Sequence, residues 1–216
     1  MKFFLFFLLF SIQSYPQKKA TFSEGIYLIS NYIAASDFDK ITTLSESLSV
    51  VDSIFLFALK TFDYDYSETL FCLSFATLPY NSIPMESSLL NIKIPVYLPS
   101  PDDSTFNLRL NKLPKYFFPD SPSGKFGDKD KIAHFFGNAF LAYNGSFLNL
   151  SKFASIFVEM FETAFKIDGS MDIRDLRTNS LGEMFGDCLI HNKNLFPSDI
   201  LKLYSLFFGN SLINIK

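Results

Sequence analysis

Only one of the two histidines in this 216-residue chain lies in a setting that suggests chemistry. Asp130, His134 and Asn138 recur at i, i+4 and i+8, so a helix would carry all three on one face. Glu159, Glu162 and Lys166 share a face of a second helical segment. Asp175, Asn179, Gly182 and Gly186 share a face of a third, at i, i+4, i+7 and i+11. If the stripes turn inward, His134, Glu159, Glu162 and Asp175 offer one imidazole and up to three carboxylates, with Asn179 beside them. That donor set suits a divalent metal of the Zn, Mn or Fe type, or a general acid/base pair.

The same residues have a second reading. With about 100° between successive positions, Glu159 and Glu162 fall opposite a wide apolar stripe and are solvated. His134 is then a hydrogen-bonded interface histidine, and Asp172 and Asp175 are helix caps. His191, in a polar stretch near a helix end, reads as a surface residue. Gly182 and Gly186 let another backbone approach, which would compensate a helix-interior glycine cost of about 0.5–1 kcal/mol each. The sequence has no Gly-rich phosphate loop, no CxxC, no HExxH and no GxSxG.

The elements that must position these residues are mostly helical. Apolar residues at helical spacing mark residues 24–35, 48–59 and 67–77, with Ser67 as a cap for the third. Residues 91–98 and 105–111 instead alternate with period two, and a Pro/Ser/Asp turn separates them. They are expected to pair as a β-hairpin, with Pro95 placing its strand at an edge. A Pro/Gly-rich loop runs to residue 127. Asp128 can cap a helix ending near Tyr143. Residues 151–166 carry the clearest helical period, another helix begins at Asp172, and Ser198 can cap a last one. The expected fold is mainly α: a compact helical bundle with a small β-hairpin insertion. Residues 15–216 form one domain in this reading: a helical part over 15–90, the hairpin and loop over 91–127, and a helical core over 128–216.

Composition limits the function classes. Apolar residues at 48% and charged residues at 19% exclude a disordered chain. A formal net charge of −3 argues against a nucleic-acid binder, which needs a basic face. Lys2 and the apolar run 3–10, followed by a polar Ser/Gln stretch, read as a signal peptide over residues 1–14. Export follows, to the periplasm or a membrane surface. The run is shorter than the roughly 20 residues a bilayer span needs. Residues 132–151 lack Asp, Glu, Lys and Arg, but contain His134, three asparagines and a turn, so two short helices are expected there. Cys72 and Cys188 are expected to be free, buried thiols.

Three segments in order carry a resemblance: D-K-I-A-H-F-F over 130–136, E-M-F-E over 159–162, and D-I-R-D-L-R-T-N-S-L-G-E-M-F-G over 172–186. This resembles the VanZ-like group and the related YfiM-type predicted periplasmic lipoproteins. Those share a D-K-x-x-H-F start, a glutamate-bearing helix and a closing D-L-x-x-N-x-x-G-x-x-x-G. The likeness covers about residues 128–189. It implies an all-helical core in which Lys131, His134, Phe135, Glu159, Glu162, Asp175, Asn179, Gly182 and Gly186 match the pattern, with Asp130, Lys131, Gly182 and Gly186 as structural positions. VanZ-like members have longer apolar helices and YfiM-type members a lipidated cysteine, and this chain has neither. The family has no settled reaction.

Two functions follow as expectations. One is a non-catalytic envelope protein that binds, or is built into, a membrane surface or envelope component. The other is a metal- or acid/base-dependent hydrolase of an envelope substrate, using His134 with Glu159, Glu162 or Asp175. The hydrolase requires His134 within about 3–4 Å of one of those carboxylates, in a pocket open to water.

Overall fold

The computed structural model describes residues 19–87, 92–124, 126–145 and 173–208. Glu159, Glu162, the 151–166 helix and the 1–14 leader lie outside the described residues. The chain runs α1 (Phe22–Ala34), a 3-10 turn (Phe38–Lys40), α2 (Leu44–Thr61), α3 (Tyr66–Ala76), β1 (Ser82–Ser87), β2 (Ile92–Tyr97) and α4 (Asp103–Lys112). It continues with α5 (Lys131–Asn144), α6 (Ile173–His191), α7 (Pro197–Leu201) and α8 (Leu203–Phe208). The architecture is the expected mainly-α one with a small two-stranded antiparallel sheet.

Local chemistry sets the helix starts. Thr21 and Glu24 form a reciprocal capping box on α1, satisfying two backbone donors that a helix start leaves open. Thr43 caps α2. Asp65, not the expected Ser67, caps α3, accepting from the Glu68 N–H at 3.0 Å. The Ser67 hydroxyl instead donates to Asn144 at 2.7 Å and ties α3 to the end of α5.

The hairpin has a different second strand from the expected one. Residues 92–97 are a strand, but their partner is β1 upstream, in the register Ser82↔Tyr97 through Ser87↔Ile92. Pro84 pairs with Pro95, which a two-stranded sheet accommodates because each strand is an edge. Residues 105–111 lie within α4 instead. Their apolar alternation fits a strand, but the cap overrides it: Asp102 accepts from the N–H groups of Ser104 and Thr105, both at 3.1 Å. Helical geometry then turns Phe106 and Arg109 inward together and leaves Leu108 54% exposed. Arg109, only 1% exposed, donates to the carbonyls of Ala76 and Leu78, groups that the end of α3 would otherwise leave unsatisfied. Burial lowers its pKa to about 9.

Two other expected caps are also replaced. Asp128 does not cap α5; its fully buried carboxylate accepts from the Phe117 N–H at 3.0 Å and pairs with Arg174. Ser198 does not start one long helix. α7 and α8 are separate, Asp199 accepts from the Phe196 N–H at 3.1 Å, and the Ser198 N–H donates to Asp52 at 2.8 Å. Both cysteines are free, Cys72 buried and Cys188 only half-buried. His191 is exposed, as expected.

The core joins α1, α2, α3, α5 and α6 through aliphatic and phenylalanine side chains. Phe55 of α2 meets Phe185 of α6 at 5.6 Å between ring centroids, and Phe135 of α5 meets Phe185 at 5.2 Å. Among the described elements α6 packs most extensively on α5. The two glycines of α6 permit it. A Cβ on Gly182 would overlap the Phe135 carbonyl oxygen, and one on Gly186 would overlap that of Ala139. The obstruction is backbone in both cases, so no rotamer change relieves it. Gly182→Leu is expected to lower stability by at least about 1–3 kcal/mol through overpacking, read as a drop in Tm. A variant that melts like the parent would contradict this packing.

Candidate functional site

The glycine contact brings the polar stripe of α6 against that of α5. Asp130, immediately before α5, and Lys131, His134 and Asn138 on it face Asp175 and Asn179 of α6. His134 is 2% exposed, and Lys131 and Asp175 are also buried. Six of the residues singled out in the sequence, Asn138 among them, therefore meet in one seam.

The Lys131 ammonium sits between two carboxylates. It donates to Asp130 Oδ2 at 2.7 Å and to Asp175 Oδ1. Burial opposes its charge, but the adjacent Asp130 and then Asp175 outweigh that and hold its pKa above the ordinary lysine value. His134 Nε2 is 3.4 Å from Asp175 Oδ1. Desolvation lowers the imidazole pKa, against the opposing pull of Asp175, so the neutral ring is favoured at pH 7. Asp175 is therefore one pole of an ion pair. Its place in the first turn of α6 also suits the positive end of the helix dipole.

The tautomer of His134 follows from its neighbours. The Asn138 amide nitrogen donates to the His134 backbone carbonyl at 2.9 Å, which can only accept. The same nitrogen donates to Asn179 Oδ1 at 2.9 Å, so Asn179 presents its oxygen to the seam. His134 Nδ1, also 2.9 Å from that oxygen, must be the donor. In the neutral ring Nε2 therefore carries the lone pair, directed towards the Asp175 side. A ring nitrogen held by a second polar group while the other faces carboxylates is the arrangement that orients metal-ligating histidines. Asp130, His134 and Asp175 could together hold a metal, their ligand atoms all lying within 4.8 Å of one another.

A second charged cluster flanks the seam, and only part of it leaves a trace in the sequence. Arg174, one residue before Asp175, pairs with Asp128 and lies 3.5 Å from Asp120. Tyr204 of α8 donates to Asp120 at 2.6 Å, and Arg177 stands 3.4 Å from the same carboxylate. Burial, then the Asp120 hydrogen bond, pushes the Tyr204 phenol up to about 12. The sequence signal was the alternation Asp128-Lys129-Asp130-Lys131: in the tight turn before α5, Asp128 goes to Arg174, Lys129 to the Leu110 carbonyl, and Lys131 to the seam.

Cavities lie near the seam and away from it. One of about 10 Å³ lies among Phe117, Phe118, Lys131 and Phe135. A groove of about 290 Å³ lies elsewhere, between Thr21, Phe22, Phe62, Glu68 and Phe71.

No protein-family model matches this chain, and comparison with curated proteins and with solved structures gave no significant match.

Removing one partner of a buried ion pair strands the other. Lys131→Met is expected to destabilise the fold by about 3–5 kcal/mol, since it leaves Asp175 without its bridging cation. The double variant Lys131→Met/Asp175→Leu should recover part of that loss. Denaturant melts of the three proteins test this, and a double variant less stable than Lys131→Met alone would contradict it.

Proposed function

We propose that this chain is an exported envelope protein, a non-catalytic binding or structural module at a membrane surface. The observation that carries this reading is the burial of the seam, whose charges engage one another. Its one buried lysine is engaged by two carboxylates, and its histidine is buried and tied to Asn179. Such groups hold a helix pair in register, whereas a catalytic base needs a path to substrate. Among the described residues no helix is long and apolar enough to cross a membrane. Leu206 and Phe207 of α8 are nevertheless well exposed and offer apolar contact to a membrane surface or an envelope component. Export itself rests on the residue 1–10 pattern. Fractionation of cells making a C-terminally tagged chain, with N-terminal sequencing, tests it. The expected result is envelope or periplasmic protein cut near Ser14, and a cytosolic chain retaining residues 1–10 would overturn it.

A second reading, an acid/base-dependent hydrolase of an envelope substrate, is favoured by one distance: the 3.4 Å between His134 Nε2 and Asp175. Hydrolysis of an ester or phosphoester probe that His134→Gln abolishes in a protein still folded would establish it over the first reading.

A further inference from the structure

We infer that the α5–α6 seam is a cation-exchange site, at which a divalent transition-metal ion bound by Asp130, His134 and Asp175 displaces the Lys131 ammonium. This goes beyond the envelope reading and does not depend on export.

Three observations converge on it. The first is the donor set. Asp130 and His134 are one helical turn apart at α5, Asp175 comes from the first turn of α6, and their ligand atoms lie within 4.8 Å of one another. Around an ion with bonds of about 2.1 Å, neighbouring ligand atoms stand about 3–3.5 Å apart, so the set closes on it by drawing together by up to roughly 1.5 Å.

The second is that a cation already occupies the place. The Lys131 ammonium touches the two carboxylates that a metal would use. A divalent ion brings twice the positive charge of the ammonium to the same two carboxylates. Asp130 is the most exposed of the three ligands, its side chain 17% accessible, and gives an ion its approach.

The third is the orientation of the imidazole, fixed independently of either carboxylate. Asn138 fixes Asn179, Asn179 takes the His134 Nδ1–H, and the Nε2 lone pair is directed to the carboxylate side. Asp175 Oδ1 stands 3.4 Å from Nε2, so a lone pair and a carboxylate face each other, an arrangement that a cation between them stabilises. One imidazole with two carboxylates selects Zn²⁺, Mn²⁺ or Fe²⁺ over Mg²⁺ and Ca²⁺, which prefer oxygen alone.

The competing lysine gives the test its signature. Chelator-treated full-length protein is titrated with MnCl2 and, separately, ZnCl2, following heat of binding and Tm. The expected result is one equivalent bound and a Tm that rises with metal concentration. His134→Ala and Asp175→Asn should abolish both effects. Lys131→Met should bind the metal about tenfold or more tighter than the parent, because the resident positive charge is gone. If Lys131→Met is too unstable alone, its refolding on metal addition reads the same quantity. Absence of stoichiometric binding by the parent would overturn the inference. So would binding that survives both His134→Ala and Asp175→Asn, which would place the ion on surface carboxylates.

Discussion

The backbone contact between α5 and α6 is the constraint from which the rest of the described structure follows. With no side chain at Gly182 and Gly186, the two helices meet where the carbonyls of Phe135 and Ala139 stand in the way of any Cβ. At that separation the polar stripes cannot keep their water. Asp175, Asn179, Lys131, His134 and Asn138 bond to one another there, through a lysine between carboxylates and an imidazole held by an amide. The apolar side of the same contact places Phe135 against Phe185, and Phe185 in turn against Phe55 of α2. One close approach thus sets both the charged seam and the aromatic core behind it.

The first turn of α6 is where this arrangement is keyed. Two consecutive residues leave it in different directions: Arg174 to Asp128 and Asp120 in the loop before α5, Asp175 to Lys131 and His134 on α5 itself. Sliding α6 along α5 would break both connections at once. Buried ion pairs add less net stability than apolar packing of the same volume, because desolvation offsets most of their attraction. Here they tie the first turn of α6 to α5 and to the loop before it.

The same geometry bears on function. A seam that needs a cation between Asp130 and Asp175 can be closed by lysine or by a metal, and the protein carries the lysine within the site.

The faces of α5 and α6 were legible in the sequence because helical period is a local property. Residues four apart share a side whatever they pack against, so the stripe Asp130, His134, Asn138 and the stripe Asp175, Asn179, Gly182, Gly186 could be read, and their meeting inferred from the glycines. Residues 105–111 were misread because Phe106, Leu108 and Leu110 alternate as a strand would, whereas the Asp102 cap and Arg109 reaching the end of α3 make the segment a helix that leaves Leu108 exposed. β1 went unread because Pro84 interrupts its alternation, and only pairing with β2 makes it a strand. Lys131 matched a motif, but its bridging position depends on a carboxylate 44 residues away. Local repetition fixes which residues share a face. Which partner a charge finds depends on the distance between two helices, and that distance is set by the packing of the whole chain.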